Sequence, residues 1–322
     1  MLHTHSPAQR RVQVPLSTQG KAQFQIHFCV LLWGVTAILG KAITLHALDL
    51  VWWRMLIVTV ALLGFPRVWR GLGAMSWRTI GAYAGIGVLV SLHWLSFYGA
   101  IKLANASVGA ICIAIAPVFL AFVEPLFTGS RFNRRELLIG VGVVPGVALI
   151  VGGVPDDMHL GLLVGVVSAL FVALFGALNK RMVGRGDALT VTCIELGAGT
   201  AFLTLLAPFM PHAGALFPLP DLHDTVLLLI LSLLCTLLPF ALALDALRHL
   251  SAFVVQMTTN LEPVYAIVLA MPLLGEQRQL DMQFYLGVVI VLAAVFAHPY
   301  LVRVKKPAPE MLATAEAKNL SE

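Results

Sequence analysis

Apolar runs of about 20 residues follow one another from residue 24 to residue 302, with mostly short connectors between them. A helix of that length crosses the hydrocarbon core of a bilayer, and a water-soluble core cannot absorb so many fully apolar helices. In lipid the backbone must satisfy its own polar groups, which is what a helix does within one segment. Hydrophobic residues make up 59% of the 322 and charged residues 11%, against about 25% charged in soluble domains. The expectation is an all-α integral membrane protein of ten transmembrane helices, at 24–44, 48–66, 79–100, 106–127, 136–153, 160–182, 188–209, 225–247, 252–274 and 282–302. Very short connections make consecutive helices antiparallel neighbours.

The formal charge of +5 does not indicate a nucleic-acid partner. The basic residues sit in short clusters between the runs, without aromatic interleaving or a basic face on a soluble domain. Their placement is topological instead. Of the 21 Lys and Arg, all but Lys41, Arg54, Lys102 and Arg278 fall on the side that carries the N-terminus, which the positive-inside rule makes cytoplasmic. Both termini are therefore expected inside. Residues 1–23 read as a cytoplasmic tail without the apolar core of a cleaved signal, and 303–322 as a disordered cytoplasmic tail. Cys29, Cys112, Cys193 and Cys235 all fall within spans without CxxC spacing and read as small buried hydrophobes.

The run from Ala246 to Glu276 carries Gln256, Thr258, Thr259, Asn260 and Glu262 in its middle, followed at once by Pro263. Polar groups beside a helix breaker at membrane depth belong where they face protein or a cavity. The stretch Ala100–Gly129 repeats it without gaps: Ala100 aligns with Ala246, Lys102 with Arg248, Ala106 with Ala252, Pro117 with Pro263 and Gly129 with Gly275. The chain thus reads as one five-helix unit written twice, at 24–153 and 160–302. An odd number of helices forces the second copy to enter from the opposite face, giving inverted repeats. Such repeats place a substrate site near the midplane between the halves.

Several side chains are candidates for that site. Gln256, Thr259, Asn260 and Pro263 share one face of an unbroken helix, with Thr258 and Glu262 on the neighbouring stripe. The other reading of such groups is as interhelical glue. Arg54 lies about two turns inside its span; it must snorkel, pair with an acid such as Asp49, or bind an anionic substrate group. In helix three, Ser91, Trp94 and Tyr98 form a stripe with His93 beside it, and Trp33 is similarly interior in helix one. Trp94 and Trp33 read as cavity wall, Tyr98 as an interfacial aromatic, and His93 as a hydrogen-bonded structural residue or a proton relay. Gly81 with Gly85 is a small-xxx-small pair that permits close helix approach, as are the glycines at 142, 146, 161 and 165. Pro117 and Pro263 are the natural hinges, expected to face each other across the cavity. No phosphate-binding loop or zinc-spaced cluster is present, so catalytic residues, metals and cofactors are not expected.

Trp33-Gly34, the Pro117 and Pro263 helices, and Asn260-Leu261-Glu262-Pro263 followed by Gly275-Glu276 resemble the drug/metabolite transporter superfamily, in its ten-helix group with two EamA-type repeats. The resemblance covers about residues 24–302. It implies an inner-membrane secondary transporter, usually an exporter of amino acids or other small metabolites. One departure is that Gly129-Ser130 stands in the first copy where the second has Gly275-Glu276, so the halves are not equivalent there. The partners implied are a small-molecule metabolite and the lipid bilayer, with a homodimer left open. The competing reading is a membrane-embedded enzyme acting on a lipid-linked substrate, for which Glu124 with His93 is the one weak acid/base pair.

Overall fold

The computed structural model describes residues 18–128, 134–210, 214–259 and 261–301. Its helices, in chain order, are α1 (Thr18–Ala42), α2 (Ala47–Leu63), α3 (Pro66–Ala74), α4 (Trp77–Leu103), α5 (Ala106–Ile113), α6 (Ala116–Thr128), α7 (Arg134–Gly152), α8 (His159–Met182), α9 (Ala188–Leu206), α10 (Leu222–Leu229), α11 (Leu238–Ala246), α12 (Ala252–Thr259), α13 (Glu262–Leu274) and α14 (Met282–Leu301). A π-helical stretch, Ile230–Leu237, joins α10 to α11. No strand occurs among the described residues. Apart from α3, and with α5–α6, α10–α11 and α12–α13 each taken together, ten helical segments stand where ten spans are expected. Six of these are long and apolar enough to cross a bilayer by length and composition alone.

Three departures from the sequence reading have local causes. First, α1 begins at Thr18, inside the stretch read as an N-terminal tail; the remainder of that tail and residues 302–322 lie outside the described residues. Second, residues 66–74 are a helix rather than a loop. Pro66 sets the first turn, and α3 turns 90° away from α2. Val68 is fully buried while Trp69 is exposed, so α3 presents one face to the bundle. Third, the fourth and ninth spans are broken upstream of their prolines. Pro117 and Pro263 occupy the second position of α6 and α13, where a missing N–H costs little, and short turns precede these helices, with Ala114 and Leu261 keeping αR dihedrals.

Polar caps end the helices where the sequence supplies them. Ser76, Asn105, Asp187 and Asp221 accept from the backbone N–H groups of Thr79, Val108, Thr190 and Asp224, opening α4, α5, α9 and α10. Each such cap is worth about 1 kcal/mol. Gly275 closes α13 in the left-handed conformation, at φ 68°.

The helix contacts obey the inverted two-fold relation. The fifth and tenth spans, α7 and α14, pack on each other, and so do the second and seventh, α2 and α9. The contact of α4 with α8 has its mate in that of α11 with α1, and the contact of α6 with α8 in that of α12 and α13 with α1. The relation reaches single side chains. Lys41 Nζ donates to the carbonyls of Ile101 and Ala104 at 3.5 and 3.3 Å, and Lys180 Nζ to those of Leu247 and Leu250 at 2.8 and 2.6 Å. Ile101 and Ala104 precede Leu247 and Leu250 by the offset that aligns Pro117 with Pro263. Each lysine therefore serves the carbonyl-rich end of a helix in its own repeat.

Close approach occurs at three of the six glycines expected and at others besides. No atom lies within 4 Å of a Cβ built on Gly81, Gly85 or Gly142, whereas Gly146 faces α14 and Gly161 and Gly165 face Ala100, Ala104 and Cys112. A Cβ at Gly87 would run into the backbone carbonyl of Glu195, fixing the crossing of α4 and α9. One at Gly34 would meet the Cβ of Tyr265 at 2.5 Å, so the glycine after Trp33 sets how near α1 comes to α13.

Candidate functional site: a cavity between the halves

Both halves contribute to one large cavity. Its walls come from α1 (Trp33, Thr36), α2 (Arg54), α4 (His93, Trp94, Phe97), α8 (Phe175, Asn179), α11 (Phe240, Leu244), α12 (Val255, Thr259) and α13 (Glu262), among other residues. The empty volume is about 940 Å³ including the mouth. The lining extends from mid-helix residues such as Arg54, Trp94 and Glu262 to Asn179 and Leu247, beside the Lys180 and Arg248 ends of their spans. That is the face on which α1 begins.

Arg54 is 2% exposed, and its position is set by neighbours rather than by snorkelling. Its Nε donates to Thr236 Oγ1 at 2.6 Å and its Nη1 to Tyr98 Oη at 2.7 Å. The guanidinium carbon lies 3.8 Å from the centroid of the Trp94 ring. A desolvated cation over an indole face is stabilised by up to about 2 kcal/mol, which offsets part of its burial. No carboxylate lies within 4 Å of it among the described residues; Asp49 lies 3.9 Å from His46. Tyr98 is accordingly no interfacial aromatic: it is fully buried and holds the arginine.

Thr236 is the partner that sequence reasoning misses. Pro239 cannot donate to Cys235, and upstream of it the ladder slips into the π pattern. Thr236 then donates to Leu231, five residues back, at 2.6 Å, while receiving Arg54. The signal was a proline three residues after a threonine in an otherwise apolar run.

His93 lines the cavity with its Nδ1 at 2.8 Å from Ser168 Oγ, tying α4 to α8. Trp94 meets Phe240 at 6.0 Å between centroids, so three rings with Phe97 wall the cavity beside the arginine. Thr259 and Glu262 also reach it, at 7% and 8% exposure. Thr259 and Glu262, three residues apart on either side of the break between α12 and α13, reach the same cavity. Pro117 and Pro263 are buried at those breaks and are not among the lining residues, so they do not face each other across the space. The side chain of Gln256, and Asn260 altogether, lie outside the described residues. Glu124 does not line the cavity that His93 lines, so the acid/base pair of the enzyme reading is not assembled there.

At the opposite end the halves are latched by Glu276. Its carboxylate accepts from Ala106 N at 2.8 Å, Ser107 N at 2.9 Å and Ser107 Oγ at 2.6 Å, and it is 1% exposed. The glutamate of the second copy thus sits on the N-terminus of α5 in the first, where free N–H groups and the helix dipole favour an anion. Asn105 Nδ2 donates to Gln279 at 3.3 Å alongside. Asp224, likewise buried, accepts from Thr44 N and Oγ1, joining α10 to the end of α1. The cavity is therefore closed on this face and open toward the other.

The buried charges also follow the inverted relation. Helices α2 and α9 both open on Ala-Leu, and Arg54 and Glu195 are the eighth residues of each. Arg54 lines the cavity. Glu195 does not, although it is fully buried.

The model of the EamA-like transporter family matches residues 21–152 and again residues 159–298. A protein of Streptantibioticus cattleyicolor named "Probable terminal-alkyne amino-acid exporter" is 30% identical over 172 residues, 53% of this chain and 57% of that one. The chain thus spans little more than half the length of that relative. Uncharacterized transporters of Bacillus subtilis and Archaeoglobus fulgidus are 26% and 27% identical, over 83% and 86% of this chain and 85% and 96% of theirs. One crystal structure superposes with a TM-score of 0.65 over 89% of this chain and 100% of that one; at 14% identity the likeness is one of fold.

Proposed function

Since the chain belongs to the EamA-like transporter family and is a multi-pass membrane transporter rather than an enzyme, we propose that it exports a small zwitterionic metabolite of the amino-acid class across the inner membrane by alternating access, with both termini cytoplasmic. The observation that carries this reading is the cavity to which both halves contribute, with a guanidinium and a carboxyl in one aromatic-walled space. A guanidinium fork suits a carboxylate, and Glu262 suits an ammonium group. Trp33, Trp94, Thr259 and His93 complete the contacts, joined in this proposal by Gln256 and Asn260. The five-helix units 24–153 and 160–302 then rock about the breaks at Pro117 and Pro263, exposing the site to either face in turn. The outward direction is supported by the relative named as an exporter. The Lys/Arg bias supports the orientation.

Reconstituted proteoliposomes test it. Saturable counterflow of at least one L-amino acid is expected, abolished in Arg54→Gln and reduced in Glu262→Gln. Counterflow absent across all proteinogenic amino acids, from protein that stays monodisperse, would remove the substrate class.

A further inference from the structure

A carrier that rests on Arg54 and Glu262 leaves one buried acid unused. Glu195 is 0% exposed, and neither carboxyl oxygen makes a hydrogen bond of ordinary geometry among the described residues. The carboxamide of Asn179 lies beside it, and Asn179 Oδ1 is itself unpartnered. Several neighbouring charges are engaged elsewhere. Of the groups on elements packed against α9, Arg54 on α2 is held by Thr236 and Tyr98, and Arg67 on α3 lies 3.4 Å from Asp187. On α4, His93 meets Ser168 and Tyr83 donates to the carbonyl of Met182 at 2.7 Å; beyond α11, Arg248 donates to the carbonyl of Gly186 and lies 3.6 Å from Asp245. An ionised carboxylate at Glu195 would have no cation within 4 Å among the described residues and at most the Asn179 carboxamide as a donor, too little to sustain a buried charge. A metal cation would need several converging oxygens, and Asn179 offers one. A proton needs none.

We infer that Glu195 is a proton-binding site of this carrier, reached by water past the Asn179 side chain and exchanged against substrate. Two features of the fold support the route. Asn179 lines both the central cavity and a smaller one of about 250 Å³ with Tyr83, Val183, Gly184 and Arg248, so it separates the substrate space from the face on which α1 begins. The inverted relation also pairs Glu195 with Arg54. When the halves exchange roles, α9 takes the place that α2 holds now, and Glu195 comes to line the cavity open to the other face. In this state the carboxyl is covered behind Asn179, and in the other it meets the opposite aqueous side. The step is a simple protonation: one oxygen gains an O–H bond on one side and gives the proton up on the other, with no other bond changed.

The inference rests on the carrier reading, and the experiment separates the two. Proteoliposomes holding a trapped pH-sensitive dye are given whichever L-amino acid shows counterflow. Wild-type protein is expected to move protons with the amino acid, and Glu195→Gln to lose proton movement while keeping counterflow. Counterflow without proton movement in the wild type, or proton movement surviving in Glu195→Gln, overturns the inference and leaves the carrier standing; absence of any counterflow removes both. A measurement that needs no variant guards against misfolding. Dicyclohexylcarbodiimide, an apolar reagent that adds to protonated buried carboxyls, is expected to label Glu195 in the wild type by peptide mass mapping. Unlabelled Glu195 in protein labelled elsewhere overturns the inference.

Discussion

Arg54 illustrates how one side chain acquires a role that its own segment cannot assign. Its span says only that a charge is buried; Tyr98, Thr236 and Trp94, from two other spans, decide that it stays at the cavity. Lysine retains the charge but can neither bridge Thr236 and Tyr98 as a planar fork nor stack on the indole in the same way. Arg54→Lys should therefore weaken substrate half-saturation by roughly tenfold or more, the equivalent of one charged hydrogen bond, as read by counterflow titration. At Gly87 the expectation concerns stability. Gly87→Ala forces a methyl into the Glu195 carbonyl and should cost about 1–3 kcal/mol, whereas Gly85→Ala meets open space and should be neutral or stabilising. Thermal unfolding in detergent distinguishes them, and equal effects would mean that α4 and α9 do not cross at Gly87.

Among the elements, the broken spans matter most. Periodicity locates the ninth span well, but it treats Gln256 to Pro263 as one helix face, whereas the backbone stops at Thr259 and restarts at Glu262. Proline makes the break legible in sequence; which neighbours the side chains on either side of it meet is not. Helix α5 presents a second case. Its N-terminus holds Glu276 from the other half, so Gly275-Glu276 acts as a cap supplied in trans. Glu276→Gln should leave the fold intact yet loosen the latch, raising hydrogen exchange at the amides of Ala106 and Ser107 by roughly fivefold, about 1 kcal/mol of charge-assisted capping. Unchanged exchange at both amides would show that the carboxylate charge does not secure the closed face.

For the whole molecule, the inverted relation makes its own prediction. Lys41 and Lys180 hold equivalent carbonyls in the two repeats. Lys41→Met and Lys180→Met should then lower thermal stability by similar amounts, each about 1.5–3 kcal/mol for a hydrogen-bonded charge; a loss confined to one variant would mean that the two ends are not built alike. The orientation is tested separately. Reporter fusions at residue 322 should be active only in a form that matures in the cytoplasm, as the clustering of Lys and Arg requires.

By itself the sequence determined the class of molecule, the number and order of its spans, the duplication and its inverted sense. All of these follow from local quantities: run length against bilayer thickness, charge between runs, and the parity of five helices. It also pointed to four of the six polar side chains that line the cavity, missing Thr36 and Asn179, because a polar side chain in an apolar run has few places to go. Only the tertiary structure decided what those residues meet. The Thr236 partner made by a π turn, the capping of α5 by Glu276, and the isolation of Glu195 beside Asn179 join positions brought together by helix packing. Packing between segments is set by shape across the whole bundle, and no single run encodes its neighbour.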